Sequence, residues 1–368
     1  MATTEVLSGL DLTKWRRDFV REYVRDSGFS TYMGDSPMDI IHVINDLKTD
    51  GYTIRVPLVG RLQGGGVSGN TALSGAEEAL DQYYQDISWE FYRNAVTATK
   101  KEKKKSATEF MAVARPLLRE WSSEVIKYQI IDCLHKMSGG LKFSASDATA
   151  RNLWSANNVD RVLYGATAAN YSATHLTGLA NIDNTDDKLS PAMGSLAKFM
   201  ARTANPHIRP FKTGTQGREF YVMFCHPLCF RDLKANSTMT AANRDARPRD
   251  VDANPLFQDG DLIYDGVIYR EIPEFYRARQ GTGTNDETTF SNGTIVCGAN
   301  FLCGAQAIGY VNKQAAMPTS KKEDDYGFVD GVGIEFAHGM DKLRWNNGAN
   351  GALNKDVGMV TVYAAAVA

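Results

Sequence analysis

Residues 52–96 constrain the fold more than any other stretch. Between 52 and 58, Tyr52, Ile54, Val56 and Leu58 alternate with Thr53, Arg55 and Pro57, the period-two pattern of a half-buried strand. Pro57 has no N–H to give to a ladder, so this strand lies at a sheet edge or ends in a bulge. A second alternating run sets Ile87, Trp89 and Phe91 against Asp86, Ser88, Glu90 and Tyr92. Between the two lie a glycine-rich stretch, 64–70, and an acidic segment with Glu77, Glu78 and Asp81. The pattern predicts one long, mobile hairpin. A hairpin of this length cannot bury its apolar sides on one compact domain, so other subunits are expected to complete it. The glycines do not make a phosphate-binding loop, because no Lys follows them. They supply positive φ at a hairpin tip instead.

The run Lys100-Lys101-Glu102-Lys103-Lys104-Lys105 follows, and then Ser106-Ala107-Thr108-Glu109, a capping box in which Ser caps the first turn and Glu reaches back. Phe110, Ala114, Leu117, Trp121, Val125, Tyr128 and Leu134 recur at three- to four-residue spacing until Gly139-Gly140 ends the pattern. A helix over 106–137 is predicted, on the order of 48 Å long at ~1.5 Å per residue, with a kink at Pro116. The lysines read as a solvated lead-in to this helix, placed where its macrodipole disfavours positive charge. The functional alternative is contact with DNA or with an acidic partner protein.

Upstream, residues 10–50 read as an irregular arm with one helical piece, in which Trp15, Phe19 and Tyr23 recur every four residues. That aromatic face packs on the chain's own core or lies across a neighbouring subunit. Downstream, 141–209 reads as Ser/Ala/Asn-rich loop with a helix over 191–204 capped by Ser190. Residues 220–224 form a buried strand ended by His226-Pro227, followed by a short helix over 228–235. Two strands flank the turn pair Asp265-Gly266. Residues 295–311 are apolar and glycine-punctuated, and 357–367 form a C-terminal strand. The sum is an α+β protein.

With 41 Lys+Arg against 43 Asp+Glu, the net charge of −2 excludes a strongly basic nucleic-acid binder. Cys133, Cys225, Cys229, Cys297 and Cys303 are odd in number, and no signal peptide precedes them, so reduced thiols in a cytoplasm are expected. No apolar stretch reaches the ~18–20 residues of a membrane span. A zinc site can be written with Cys225, His226 and Cys229 plus Cys297 and Cys303, but the last two are too far apart for a knuckle pair and sit in an apolar run. No catalytic motif occurs, and the six histidines are scattered. No catalytic, cofactor-binding or metal-binding residue is expected; a metal-dependent enzyme would have to rest on the cluster around Cys225.

The order of these elements and several local stretches are similar to known sequences. The stretches are Val56-Pro57-Leu58-Val59 leading to Gly65-Gly66-Val67-Ser68-Gly69-Asn70; Glu77-Glu78 through Ile87 to Tyr92-Arg93-Asn94-Ala95-Val96; and Tyr221-Val222-Met223-Phe224-Cys225-His226-Pro227 with Asp232-Leu233-Lys234. Further on stand Asn254-Pro255-Leu256-Phe257, Tyr264-Asp265-Gly266-Val267-Ile268, Gly304-Ala305-Gln306-Ala307 and Asp325-Tyr326-Gly327. Together they resemble the N-four-type podophage capsid family, whose members adopt the Hong Kong 97 capsid fold of tailed phages.

The resemblance implies an N-terminal arm (1–50), an E-loop hairpin (51–100), a P-domain with a spine helix (101–215), an A-domain (216–334) and a C-terminal return to the P-domain (335–368). It implies a major capsid protein that self-assembles into hexamers and pentamers of an icosahedral head around double-stranded DNA, made in the host bacterial cytoplasm and resident in the virion. Inter-subunit contacts are expected from Trp15, Phe19, Tyr23, Arg55, Arg61, Glu77, Glu78, Trp89 and Phe91. Expected partners are further copies of the chain, a separate scaffolding protein, a portal, a cement or decoration protein, and DNA held by non-specific contact, with no membrane. The fold's namesake cross-links its shell through an E-loop Lys; no Lys occurs between Thr49 and Thr99, so no isopeptide bond is expected from this loop. An encapsulin-like compartment shell is the alternative within the fold, and a tail or baseplate protein fits the long helix poorly.

Overall fold

The structure, a computed structural model, describes residues 28–45, 51–59, 62, 64–70, 72–80, 82–105, 110–213, 218–245, 262–275, 289–291, 295–324, 328–345 and 355–366. The expected arm helix with Trp15, Phe19 and Tyr23, together with Arg61 and the Ser106–Glu109 capping box, lies outside the described residues.

Along the chain, β1 (Met33–Gly34), β2 (Ile41–Asn45), β3 (Thr53–Val59), β4 (Gln82–Ser88) and β5 (Glu90–Thr99) lead into α1 (Lys100–Lys105) and α2 (Phe110–Leu134). Then come α3 (Ala148–Asn157), β6 (Val162–Tyr164), α4 (His175–Ala180), α5 (Pro191–Thr203), β7 (Phe211–Thr213), β8 (Arg218–Cys225), α6 (Pro227–Ala235) and α7 (Ser237–Asp245). The remainder is strands: β9 (Leu262–Tyr264), β10 (Val267–Glu271), β11 (Thr289–Ser291), β12 (Val296–Cys303), β13 (Ile308–Asp324), β14 (Val329–Lys342), β15 (Arg344–Trp345), β16 (Lys355–Asp356) and β17 (Met359–Ala365).

The largest sheet runs β6-β17-β12-β8-β10-β9, with β7 on β8 and β11 on β12. It is mixed: β12 is antiparallel to both β8 and β17, whereas β10 runs parallel to β8 and β6 parallel to β17. Every residue of β17 is buried, so the strand is apolar at all positions but Thr361 instead of alternating. Met359, Tyr363 and Ala365 enter one core cluster with Phe224, Phe301 and the α2 residues Ile130, Ile131 and Leu134. Val360, Val362 and Ala364 point the other way, to Met193, Ala197 and Ala201 of α5. Helices therefore cover both faces. A second sheet has the order β1-β2-β13-β14-β5, and β3 and β4 pair only with each other among the described residues.

The described chain divides into two compact units. The smaller, from Phe91–Val125 and Ala315–Phe336, packs Ala114, Leu118 and Trp121 of α2 against Val332 and Ile334 of β14. In it the Trp121 ring meets Phe336 edge-on at 5.8 Å, and Phe336 stacks on Tyr92 at 5.6 Å. The larger unit holds the two big clusters and a set of buried charges. Lys342 Nζ donates to Asp356 Oδ2 at 2.9 Å, and Trp154 Nε1 donates to the same oxygen at 3.2 Å. Arg161 donates to the carbonyls of Asp356, Val357 and Pro206.

Local sequence rules account for several of these elements. Ser190 Oγ accepts from Met193 N at the start of α5, and Pro227 opens α6 behind the N-cap His226. Asp265 and Gly266 carry φ of 48° and 71°, the doubly positive turn that joins β9 to β10. Other expectations need correction. The second alternating run is not one strand: it breaks at Trp89, β4 pairs with β3, and β5 joins β14. The lysine run is itself a short helix, its Glu102 N–H capped by Thr99 Oγ1 at 3.2 Å. The expected helix over 106–137 ends three residues early: α2, described from Phe110, stops at Leu134 and includes Pro116. Within 141–209, helices α3 and α4 and strand β6 stand where loop was expected.

Candidate assembly surface

The hairpin is built from a seven-residue ladder, Thr53↔Ser88 to Val59↔Gln82, in strict antiparallel register. Period-two geometry splits its side chains between two faces. On the inner face Leu58 and Ile87 are buried, and Ile54 and Val56 pack with Val311 and Leu343. The strands thus bury one face on their own unit, which corrects the expectation that the hairpin has no place there.

A polar bolt fixes the same face. Gln85 Nε2 donates to Asp341 Oδ2 at 3.0 Å and to the Lys342 carbonyl at 2.9 Å, while its Oε1 accepts from Arg344 N at 2.8 Å. Asp341 is held in turn by Lys136 at 2.9 Å and Arg344 at 2.7 Å. A buried amide with all these bonds made fixes the register as well as the position of the hairpin. At the root, Trp89 Nε1 donates to the Gly51 carbonyl at 2.7 Å, and Tyr52 Oη donates to Glu90.

The outer face carries Arg55 and Asp86, directly opposed in the ladder and joined by two bonds of 2.8 and 2.9 Å. The guanidinium also covers the Tyr84 ring at 3.9 Å. Hydrogen bonding from Arg55 holds the Asp86 carboxyl below its usual range. Both groups are solvated, so the pair serves orientation more than stability.

Beyond the ladder every described residue of 62–80 is exposed. Leu62, Leu73 and Leu80 stand at 62%, 58% and 50% exposure. Glu78 accepts from Gly64 N, and Glu77 from Gly75 N, each at 2.6 Å, so the two carboxylates brace the tip. An apolar, acidic, shaped tip on a bolted ladder, exposed at every described position from 62 to 80, is a surface suited to contact with another molecule.

Of the nine residues expected at inter-subunit contacts, Arg55, Glu77, Glu78 and Trp89 fall on this hairpin or its root, and Phe91 lies exposed on β5 in the other unit. Trp15, Phe19, Tyr23 and Arg61 are outside the described residues. Gln85 was missed. Its place two residues before Ile87 put it on the inward face, and a polar residue at a core position asks for partners.

The Cys/His cluster is core. Cys225, Cys229, Cys297 and Cys303 are all buried, and Cys229 Sγ donates to the Ala365 carbonyl at 3.8 Å. Burial pushes the Cys229 thiol up to about 12 and the His226 imidazole down to about 4. Among the described residues no group of three or more His, Cys, Asp or Glu is placed to hold a metal ion.

A family model described as phage capsid protein matches residues 3–368. The major capsid protein of Pseudomonas phage KPP25 is 25% identical over 96% of this chain and 95% of its own length. Among solved structures, the capsid asymmetric unit of cyanophage Pam1 matches with a TM-score of 0.87 at 32% identity, covering all of both chains. The capsid of Ralstonia phage GP4 matches with a TM-score of 0.70 at 19% identity, over 100% of this chain and 99% of that one, a likeness of fold. These are phage shells of the Hong Kong 97 type, and the encapsulin-like alternative finds no support among them.

Proposed function

The chain belongs to the phage capsid protein family and is a phage major capsid protein, part of the virion, and from that premise we propose that its hexamers and pentamers close an icosahedral head around double-stranded DNA. The single observation that carries the assembly mode is the braced, fully exposed apolar and acidic tip on a hairpin whose ladder is bolted down by Gln85. A bolted lever with a sticky end is suited to gripping a neighbour. Arg55, Glu77, Glu78, Trp89 and Phe91, with Trp15, Phe19, Tyr23 and Arg61 from the arm and tip, are the proposed contact residues. The five-part division into arm, E-loop, P-domain, A-domain and C-terminal return is proposed with it. So are a scaffolding protein, a portal, a decoration protein, assembly in the host cytoplasm and the absence of catalysis.

The basic helix supports a second, compatible role. Lys103 pairs with Asp330 at 2.5 Å, whereas Lys101 and Lys104 are exposed with no ion-pair partner among the described residues. Clustered lysines without interleaved aromatics suit sequence-independent contact with the phosphates of packaged DNA. Electron microscopy of the protein produced with and without its scaffolding protein tests the main reading. Closed shells with six- and five-fold capsomers are expected with the scaffold; tubes, or monomers under both conditions, would refute it.

A further inference from the structure

A groove of about 490 Å³ runs along β3. It is lined by Ile54, Val56 and Leu58 from that strand and by His42, His207 and Arg209 from elsewhere in the same unit. The full lining has two arginines and two histidines, and neither an aspartate nor a glutamate. Arg55 is already engaged by Asp86, but Arg209 is exposed and has no ion-pair partner among the described residues. The groove therefore suits an occupant that combines aliphatic side chains with carboxylates. A phosphate backbone brings charge without the aliphatic part, and a plain apolar peptide would leave Arg209 unpaired.

Residues 73–80 of this chain have that composition. Leu73 and Leu80, 58% and 50% exposed, bracket Glu77 and Glu78. The lengths agree as well: groove residues from β3 span six positions, 54–59, roughly 20 Å at ~3.3 Å each, and an eight-residue segment covers that distance in a partly extended form. In the single chain, each of residues 72–80 is exposed, so the tip does not occupy its own groove. We propose that the groove at the root of each hairpin receives the acidic tip, residues 73–80, of the hairpin of a second copy of this chain. Tip to root is a head-to-tail contact, and such contacts close into rings when the rotation allows. The inference rests on the reading that the chain assembles with itself and adds where the tip goes.

The test uses full-length chains assembled into particles. One chain carries Arg209→Cys and another carries Ala76→Cys or Ala79→Cys; the native thiols are buried and stay silent. Mixed particles treated with a short bis-maleimide are expected to yield a covalent dimer of the two different chains, and the doubly substituted chain a ladder. Maleimide labelling of Arg209→Cys alone should fall on assembly. In parallel, Arg209→Glu should lower particle yield by about tenfold, and Arg209→Lys, which keeps the positive charge, should retain it. Closed particles without the mixed dimer, with labelling unchanged, would overturn the groove assignment while leaving the shell reading intact. So would a link formed only within one chain, or an adduct of Arg209→Cys with a different protein. Failure of the unsubstituted protein to form any particle would count against the shell reading and take this inference with it.

Discussion

Acid should loosen this subunit through its buried histidines. His135 lies edge-on to Phe275 at 5.6 Å and to Phe301 at 4.8 Å, and its Nδ1 bonds the Ile131 carbonyl at 2.9 Å. Burial pushes it down to about 4 from an ordinary 6.5, against an upward pull from that carbonyl and Asp132. His175, His226 and His338 are likewise held at about 4, chiefly by burial. Between 6.5 and about 4 the unfolded chain binds protons that the folded chain refuses, so stability falls as pH falls. It is complete above about 6.5 and declines by up to ~1.4 kcal/mol per pH unit for each ring. One ring carried across the whole window loses about 3 kcal/mol. Two or three rings together approach the ~5–15 kcal/mol that holds a typical fold. Urea unfolding of the purified subunit, followed by tryptophan fluorescence, should show several kcal/mol lost between pH 7 and pH 5. His135→Phe keeps the aromatic contacts and removes one titrating group, so its slope over that range should be shallower by about 1 kcal/mol per unit. A flat profile from pH 7 to 5, or an unchanged slope in the variant, would refute the burial assignment.

Three other outcomes are expected. Asp356→Ala strands Lys342, buried beside Trp154, and should cost about 3–5 kcal/mol in denaturant unfolding, whereas Lys342→Met with Asp356→Leu should recover most of that. If the basic helix touches DNA, Lys101→Gln with Lys104→Gln should reduce the salt dependence of duplex binding by a slope of about 2; fluorescence anisotropy across a salt series reads this directly. Denaturing gels of mature particles should show a single band with no covalent ladder, since the E-loop region contributes no Lys between Thr49 and Thr99.

Elements with a local cause were visible in the sequence. The Asp265-Gly266 turn, the Ser190 cap, the Pro227 helix start and the alternation that makes β3 all depend on a few adjacent residues. Elements fixed by distant partners were not. Helix α3 buries only Trp154 and Ser155, so its apolar period is too faint to stand out from a polar loop. Strand β5 is mostly exposed and shows no inward set that could have separated it from β4 at Trp89. The groove along β3 draws on residues from 42 to 357, a convergence that no local window contains. The tip's composition was legible, and its acidic and glycine residues were singled out; the bolt that makes it a lever was not, because Gln85 gains meaning only from Asp341, Lys342 and Arg344.

The position of β17 has a kinetic consequence. This strand lies between β6 and β12, so until it emerges from the ribosome β6, made nearly 200 residues earlier, has no strand beside it, and β12, about 60 residues earlier, is paired on one edge only. During translation the sheet is an open edge, and a nascent chain stalled before residue 359 would present the apolar flanks of β6 and β12 to whatever is nearby. A chain made in many copies at once would then meet its own unfinished sisters first. Folding should therefore be slow, as non-local pairing makes it, and sensitive to chaperone supply, with β12 the segment most apt to start a misassembled aggregate.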